Sequence, residues 1–371
     1  MNKKILVTQS SMPSYEEYCK EIKPLFDSKW LTNNGCKHQE LEGKLKDFLR
    51  VDNLSLFVNG HLALLIAIKS FNFKPGSEII TTPYTFSSTI HAIVDNGLKP
   101  VFCDINEDDY TIDVEKIEKL ITDKTVAILP VHVYGHICNV EKIDAISKKH
   151  HLKVIYDAAH VFGVEYKNKS IASYGDVSMF SFHATKVFNT IEGGALVYQD
   201  IKKKDIIEKL KNFGINGAEK VEYVGMNAKM NEFQAAMGIC NLRHFAKEMS
   251  KRKKVYEHYI ERLQNIDGIK ISLPRKDVKF NYAYFPIVFD KKKFGMDRDE
   301  VKDLLEKENI YTRKYFYPIA SEYDCYKEYY NSNLTPIAKS ISENILTLPM
   351  YADLKIADVD RICDIILGGN K

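Results

Sequence analysis

Short apolar segments alternate with helix-forming segments between residues 54 and 182, and this alternation restricts the fold more than any other feature. Each apolar segment has the length and composition of a buried strand. Strands that alternate with helices form a mostly parallel sheet whose two faces are covered by those helices. The predicted strands are 54–58, 78–82, 99–103, 125–131, 153–156 and 176–182, and the predicted helices between them are 62–70, 85–95 and 140–150.

Polar residues follow several of these predicted strands at their carboxyl ends. In open α/β sheets, ligands bind outside that edge, so such residues are expected to surround one site. They are Asn59-Gly60, Asp104, Asp157 and the stretch from Ser181 to Lys186. The Asn59-Gly60 turn also precedes a helix start, whose free N–H groups suit a phosphate, although glycine is common in such turns.

The length of 371 residues is sufficient for one large and one smaller domain. A shift in composition near residue 245 predicts a large domain at 1–245 and a small C-terminal α/β domain at 246–371. A long amphipathic segment at 230–263 carries a basic run that we interpret as a solvated helix face. Beyond it, the patterns predict a loop and strand at 274–289, a helix at 297–309 and an aromatic strand at 311–317.

Charge and cysteine usage exclude several classes of function. The formal net charge is only +3, without a long basic run or an arginine patch, which argues against nucleic-acid binding. Seven scattered cysteines without a CxxC pair indicate reduced thiols and give no metal site. No segment approaches the roughly 20 apolar residues of a membrane span, and the N-terminus does not read as a secretory signal. We therefore expect a soluble, cytoplasmic protein.

The stretch from Ser178 to Ala195 joins a predicted strand to a dense group of polar side chains that includes Ser181, His183 and Lys186. A lysine on the wall of a partly desolvated cleft loses its preference for the ammonium form, so its free amine can form a Schiff base. Lysine is abundant in this chain, and a solvated surface lysine is the alternative interpretation of Lys186.

The motif Asp157-Ala-Ala-His160 ends another predicted strand. A buried aspartate is costly unless it is paired with a positive group, and the protonated ring nitrogen of pyridoxal 5'-phosphate (PLP) is such a group. Taken alone, Asp157 fits a helix N-cap equally well, and His160 fits a satisfied core histidine. The occurrence of Ser181 and Lys186 farther along the chain favours a cofactor site.

Ten segments, spread over nearly the whole chain, share residues with one known family, and the pair Ser-Phe-His-Ala-Thr-Lys and Glu-Gly-Gly is the most specific. They are Trp30–Gly35, Asn59–Leu64, Thr82–Phe86, Pro100–Asp104, Pro130–Gly135, Asp157–His160, Ser181–Lys186, Glu192–Gly194, Met226–Ala236 and Tyr315–Pro318. In these segments the sequence resembles the sugar-nucleotide aminotransferases of the DegT–DnrJ–StrS family, which are PLP enzymes of fold type I. The resemblance implies an α/β fold with a mostly parallel seven-stranded sheet.

The resemblance implies a catalytic role for three residues. Lys186 would hold PLP as a Schiff base and later move the proton, Asp157 would pair with the pyridinium nitrogen, and His160 would lie near the phenolic oxygen. Phe86 would stack on the ring. Related dehydratases carry histidine at the lysine position, so Lys186 favours transamination.

The resemblance also implies a phosphate cup made of Gly60, His61 and Ser181, completed by Asn227 from a second subunit. The protein would then be a homodimer with shared active sites. His61 stands where the family usually has threonine or serine, but an imidazole N–H can also donate to a phosphate. The alternative for Asn227 is a loop asparagine that is satisfied within its own chain.

Within the family, the resemblance is closest to enzymes that aminate dTDP-4-keto-6-deoxy-D-glucose at C4 with L-glutamate, for surface polysaccharides such as the O-antigen of lipopolysaccharide. The candidate substrate-binding residues are Trp30, Thr32, His183, Arg313 and Tyr317. For Trp30, the alternative is a position in a plain connector loop. For Arg313, the alternative is a surface ion pair. The alternative functions are C3 amination of a dTDP-3-keto-6-deoxyhexose and a non-catalytic sensor with the PLP-enzyme fold.

Overall fold

The computed structural model describes residues 4–368, which contain fifteen strands and twelve α-helices. The strands are β1 (Leu54–Phe57), β2 (Glu78–Thr81), β3 (Lys99–Phe102), β4 (Thr125–Ile128), β5 (Lys153–Asp157), β6 (Glu165–Tyr166), β7 (Lys169–Ser170), β8 (Val177–Ser181), β9 (Gly194–Tyr198), β10 (Ile215–Asn216), β11 (Lys220–Val221), β12 (Ile269–Lys270), β13 (Val278–Lys279), β14 (Phe285–Phe289) and β15 (Ile345–Leu348). The helices are α1 (Tyr15–Ser28), α2 (Cys36–Leu49), α3 (Gly60–Lys69), α4 (Ser87–Val94), α5 (Val114–Ile117), α6 (Val140–His150), α7 (Lys203–Lys211), α8 (Glu232–Leu263), α9 (Lys291–Phe294), α10 (Arg298–Lys307), α11 (Pro336–Asn344) and α12 (Ile356–Gly368).

Seven strands form the main sheet, in the order β1-β9-β8-β5-β4-β2-β3. Strands β2, β3, β4, β5 and β8 pair in parallel, whereas β9 runs antiparallel to both β1 and β8. The predicted mostly parallel seven-stranded sheet is therefore confirmed. Six of its strands were predicted individually. The seventh, β9, was not identified from the sequence because it begins at the second glycine of a glycine pair, Gly194.

Both faces of the sheet are buried, as expected for parallel strands flanked by helices. Adjacent residues of one strand enter different cores: Ile80 and Phe180 pack in one hydrophobic cluster, and Ile79 and Met179 pack in the cluster on the other face. Helix α3 starts directly after β1, where the Asn59 side chain accepts a hydrogen bond from the Leu62 N–H at 2.8 Å. This turn fixes the helix start at the carboxyl edge of the sheet.

The C-terminal part of the chain has its own small sheet and core. Strands β12, β14 and β15 form an antiparallel sheet, and a third cluster joins Phe285 and Leu346 of that sheet to Val359 of α12. Helix α8 belongs to both parts, because Ile239 packs in the first core and Tyr259 in the third. The division into 1–245 and 246–371 stays a prediction. Its boundary falls inside α8, and residues 1–3 and 369–371 lie outside the described part of the chain.

The predicted aromatic strand at 311–317 is wrong. The segment forms one isolated bridge, in which the N–H groups of Arg313 and Thr347 each donate to the other's carbonyl, at 3.1 and 2.8 Å. The Tyr315 carbonyl instead accepts hydrogen bonds from the hydroxyls of Tyr84, at 2.8 Å, and Tyr134. Pro318, which has no N–H to donate, follows the segment. Contacts with other parts of the fold therefore override the strand preference of its aromatic residues.

Between residues 4 and 368, no helix has both the length and the apolar character that crossing a bilayer would require.

Candidate active site

A cavity of about 510 Å³ opens at the carboxyl edge of the main sheet. Its lining comes from the segments that follow β1, β2, β4, β5 and β8, together with aromatic residues before β14 and around position 315. Nine residues predicted from the sequence line it: Gly60, His61, Phe86, Asp157, His160, Ser181, His183, Lys186 and Arg313. The structure thus brings together residues that lie far apart in the sequence.

Lys186 follows β8 and reaches the cavity. Its Nζ donates a hydrogen bond to the hydroxyl of Tyr284 at 3.3 Å. Removal of the amine from bulk solvent lowers the pKa of Lys186 to about 8, against the opposing effects of the Asp157 carboxylate and the Tyr315 hydroxyl. A substantial fraction of this lysine is therefore a neutral amine near physiological pH, as a nucleophile requires.

Asp157 is the last residue of β5, and its carboxylate is buried at the base of the cavity. Its Oδ2 accepts from Thr89 Oγ1 at 2.8 Å and its Oδ1 accepts from the Ala159 N–H at 3.1 Å. Burial raises the pKa of Asp157, and these hydrogen bonds together with the charge of Lys186 counteract that rise. The residues after Asp157 form turns, so the alternative of a helix N-cap is wrong.

His160 is neutral and has a fixed tautomer. Its Nδ1 accepts from the Tyr134 N–H at 3.1 Å, which places the ring proton on Nε2. Burial lowers the pKa of this imidazole well below its usual value. The ring lies between aromatic neighbours, with centroid distances of 4.6 Å to Tyr284 and 6.2 Å to Phe316. The Tyr134 N–H satisfies Nδ1 of His160, as expected for a core histidine. The residue nevertheless lines the cavity as well.

Two glycines allow the backbone to close around the start of α3. A Cβ on Gly60 would lie 2.9 Å from Ser181 Cβ, and a Cβ on Gly194 would lie 2.8 Å from the carbonyl carbon of Asn59. Only glycine permits these approaches, which explains the second glycine of the Glu-Gly-Gly motif. The result is a helix N-terminus beside a serine hydroxyl at the cavity wall, an arrangement that suits an anion.

The start of α3 at Gly60 and the neighbouring Ser181 together form a cradle, and His61 and Phe86 line the cavity with it. The Nδ1 of His61 is hydrogen-bonded to Ser88 Oγ at 2.9 Å, and burial lowers the pKa of this imidazole. Ser88 also lines the cavity and was not identified from the sequence. Phe86 is 59% exposed although it is apolar, and its ring is available to stack on a planar ligand.

Arg313 reaches the cavity from the C-terminal part of the chain. Its Nε donates to the Tyr315 hydroxyl at 3.4 Å, and its guanidinium lies 5.3 Å from the centre of that ring. The ion pairs between residues 4 and 368 include none for Arg313, so the alternative of a surface ion pair is not realised. An unpaired guanidinium at a cavity can bind a carboxylate or phosphate. His183 also lines the cavity, with Nδ1 2.8 Å from Thr185 Oγ1.

Four predicted site residues do not line this cavity. Trp30 and Thr32 are exposed in the loop before α2, and Tyr317 is half exposed with the Arg298 guanidinium 4.7 Å from its ring centre. Asn227 is exposed, and its Oδ1 accepts from Lys229 Nζ at 2.9 Å. Their roles stay predictions.

Asp104 also lies away from the site, although it follows β3 as the pattern requires. Its carboxylate accepts from the backbone N–H groups of Ile337 and Ala338, at 3.2 and 2.9 Å, and pairs with Lys116 at 3.3 Å. Asp104 therefore caps the start of α11. The expectation that every polar strand end joins one site is wrong at this position.

Solved structures define the class of protein. The structure resembles that of DesI in the presence of its TDP-sugar product, with a TM-score of 0.94, 28% identity, and coverage of 100% of this chain and 94% of that one. It also resembles PseC of Helicobacter pylori, an aminotransferase involved in the biosynthesis of pseudoaminic acid, with a TM-score of 0.92, 29% identity and 99% coverage of both chains. The fold and the cavity that contains Lys186 thus define an aminotransferase.

The chain belongs to the DegT/DnrJ/EryC1/StrS aminotransferase family, whose model matches residues 14–367. A dTDP-4-amino-4,6-dideoxy-D-glucose transaminase of Shigella dysenteriae is 43% identical over 95% of this chain and 96% of its own length. An enzyme of the same name from Escherichia coli is 44% identical over 99% of both. The predicted family, fold class and enzyme class are therefore confirmed.

Proposed function

We propose that this aminotransferase uses PLP to move the amino group of L-glutamate to C4 of dTDP-4-keto-6-deoxy-D-glucose. The product would be dTDP-4-amino-4,6-dideoxy-D-glucose, a precursor for surface polysaccharide. The observation that carries the proposal is the lining of one cavity by Lys186 and by the buried Asp157. The two relatives that are 43% and 44% identical support the choice of substrate.

The residues of the cavity fit PLP. The cradle at Gly60 and Ser181, which a Cβ would fill, suits the phosphate. The Asp157 carboxylate has no cation bound to it within the described residues, and its acceptor oxygens suit a protonated ring nitrogen. The exposed ring of Phe86 suits the planar face. When bound, PLP supplies an electron sink and carries the amino group between the two substrates.

Lys186 would act as the base that takes up and returns the proton. Its pKa of about 8 allows Nζ to hold a proton or release it near neutral pH. Asp157 would remain ionised opposite a positive partner and so stabilise that charge. The aromatic rings of Tyr284 and Phe316 line one side of the site, and the Tyr134 ring packs on both of them. These rings would limit the access of water to the lysine.

His160 and His61 would have different tasks. The Nε2 proton of His160 is free to donate to an oxygen of the cofactor, because Nδ1 is occupied by the Tyr134 N–H. His61 is already bonded to Ser88 through Nδ1. Backbone N–H groups at the start of α3 would therefore make the main contacts to the phosphate.

We further propose a homodimer in which each site is shared by two chains. Asn227 lies outside the cavity of its own chain and is exposed. Near it in the chain, the β10–β11 hairpin and the segments on either side expose apolar side chains, with Val224 85%, Val221 69% and Phe213 49% exposed. A second copy would bury these side chains and could place Asn227 against the neighbouring phosphate cradle. The proposed compartment is the cytoplasm, where the seven free thiols would stay reduced.

The test uses the purified protein loaded with PLP. Glutamate should remove the yellow colour, and dTDP-4-keto-6-deoxy-D-glucose should restore it, as expected for a ping-pong reaction. NMR of the product should then place nitrogen at C4. Nitrogen at C3, with a 3-keto sugar as the better substrate, would refute the assignment of the substrate. A protein that binds PLP and never loses its colour with glutamate would be a sensor rather than an enzyme.

A further inference from the structure

The amine of Lys186 has a hydrogen-bond partner that the sequence did not predict. Among residues 4–368, the Tyr284 hydroxyl is the only group within hydrogen-bond distance of Lys186 Nζ, at 3.3 Å. Tyr284 precedes β14, so it approaches the lysine from the C-terminal part of the chain rather than from the strands that carry the other site residues.

The position of this hydroxyl is fixed by packing. Tyr284 is only 5% exposed. Its ring contacts His160, Tyr134 and Tyr315, with centroid distances of 4.6, 5.9 and 6.0 Å. The next residue, Phe285, pairs with Leu348 in the small sheet. A ring held on three sides in this way presents its oxygen at one place, whereas a free lysine side chain has many rotamers.

Burial keeps Tyr284 in its phenol form, although the charged groups around it act in the opposite direction. Arg252, which is buried, and Arg313 both favour the phenolate, but burial outweighs them and raises the pKa of Tyr284 above its ordinary value. On the lysine side, Asp157 favours the ammonium form, and His160 is neutral. A neutral phenol can accept a hydrogen bond from an ammonium group and donate one to a neutral amine. The contact can therefore persist while Lys186 gains and loses a proton.

We propose that Tyr284 is a positioning residue that holds the amine of Lys186 whenever that amine is not bound to the cofactor. The inference rests on the proposed function, in which Lys186 is released during the first half-reaction and must act as a base in the second. Tyr284 keeps the amine at the wall of the cavity in that interval, close to where it accepts and returns the proton. Tyr284 contacts Lys186 and influences the reaction only by positioning that lysine.

The variant Tyr284→Phe removes the hydroxyl and keeps the ring that packs on His160. A matched control is Tyr282→Phe, two residues earlier, whose ring packs against Tyr256 and Phe280. Its hydroxyl makes no hydrogen bond among the described residues.

Each variant is loaded with PLP and treated with glutamate, so that Lys186 is free, and is then labelled with trace acetic anhydride over a range of pH. Mass spectrometry of the Lys186 peptide gives the pKa of the amine. A hydrogen bond to the charged form is about twice as strong as one to the neutral form, so its loss should lower that pKa by about one unit in Tyr284→Phe. The Tyr282→Phe control should titrate as the wild type does.

Kinetics give a second readout. In Tyr284→Phe, kcat should fall about tenfold or more in both half-reactions, because each needs the positioned amine, while KM for each substrate stays near the wild-type value. The variant Tyr284→Met, which also lacks the hydroxyl but fills the space with a flexible chain, should shift the Lys186 pKa in the same direction. It serves as the test if the phenylalanine variant does not fold.

An unchanged Lys186 pKa in both hydroxyl-free variants would overturn the role of Tyr284. So would a rise in KM with kcat preserved. Failure of the proposed function would look different, because the wild-type protein itself would then fail to lose its colour with glutamate.

Discussion

Replacement of Gly60 by alanine tests whether the start of α3 is a cradle that cannot accommodate a side chain. The added Cβ would lie 2.9 Å from Ser181 Cβ, 3.1 Å from Ser181 Cα and 3.2 Å from Ser181 Oγ. Rotation of the serine side chain cannot relieve the contact with Cα, which is backbone. The added methyl group therefore either moves the start of α3 away from the end of β8 or leaves strain in the folded chain.

The magnitude follows from the cost of overpacking, which is about 1–3 kcal/mol in a well-packed interior. If the strain is relieved by opening the cradle, the free energy of PLP binding loses a comparable amount. Since each 1.4 kcal/mol is a tenfold change, Kd should rise about 5- to 150-fold. If the cradle stays closed, the same free energy is lost from folding and the melting temperature falls.

The assay is an absorbance titration of the cofactor-free protein with PLP, together with thermal unfolding of the same sample. Gly43→Ala is the matched control, because Gly43 lies inside α2 and a Cβ there would meet no atom within 4 Å. Alanine at this exposed position of the helix should stabilise the protein by about 0.5–1 kcal/mol and leave the PLP affinity unchanged. A Gly60→Ala protein with the wild-type Kd and the wild-type melting temperature would refute the cradle.

Four further predictions concern the candidate site and its proposed sharing between two chains. Borohydride reduction of the PLP-loaded protein should label Lys186 alone, and label on Lys229 would contradict the assignment. The rate of proton transfer by Lys186 should rise with pH through about 8 and level off above it, as the ammonium group loses its proton. Asp157→Asn should retain PLP but slow turnover by about 100- to 1,000-fold, measured as kcat, whereas near-normal turnover would leave Asp157 a purely structural group. His61→Thr should change the Kd for PLP little, because backbone N–H groups make the main contacts; a large loss would give the imidazole a principal role. Co-refolded Lys186→Ala and Asn227→Ala chains should be more active than either variant alone, since a mixed dimer would carry both substitutions in one shared site and leave the other intact. Mixed dimers without such a gain would place Asn227 in the site of its own chain.

Local pattern predicted the sheet well because its strands are short apolar runs bounded by turns. The expectation that ligands bind at the carboxyl edge of the sheet located Asp157, at the end of β5, and Lys186, after β8. Both residues line the cavity. The same expectation failed at Asp104, because position at a strand end does not reveal whether another helix will use the carboxylate as a cap. Only the position of α11, whose first N–H groups reach the Asp104 carboxylate, decides between the two uses.

Tyr284 could not be found in this way. Its role depends on a hydroxyl that reaches Lys186 across nearly a hundred residues of chain, and the sequence around it contains many other aromatic residues. The segment around Tyr315 misled the pattern for a related reason: its aromatic residues favour a strand, whereas hydrogen bonds from Tyr84 and Tyr134 hold it outside the sheet. The role of Asn227 in a second chain stays a prediction of the family resemblance, because its side-chain partner in the described residues, Lys229, belongs to the same chain.

Helix α8 also has a mechanical consequence. It is one rod of 32 residues, about 48 Å long at the usual rise per residue. At its first residue, the Glu232 N–H donates to the Leu31 carbonyl at 3.0 Å and the Glu232 carboxylate accepts from the Lys37 N–H at 2.7 Å. Its far end is embedded in the C-terminal core. Because the first half of the same helix packs in the first core and against α2, the C-terminal core cannot tilt without bending α8 or disturbing that packing.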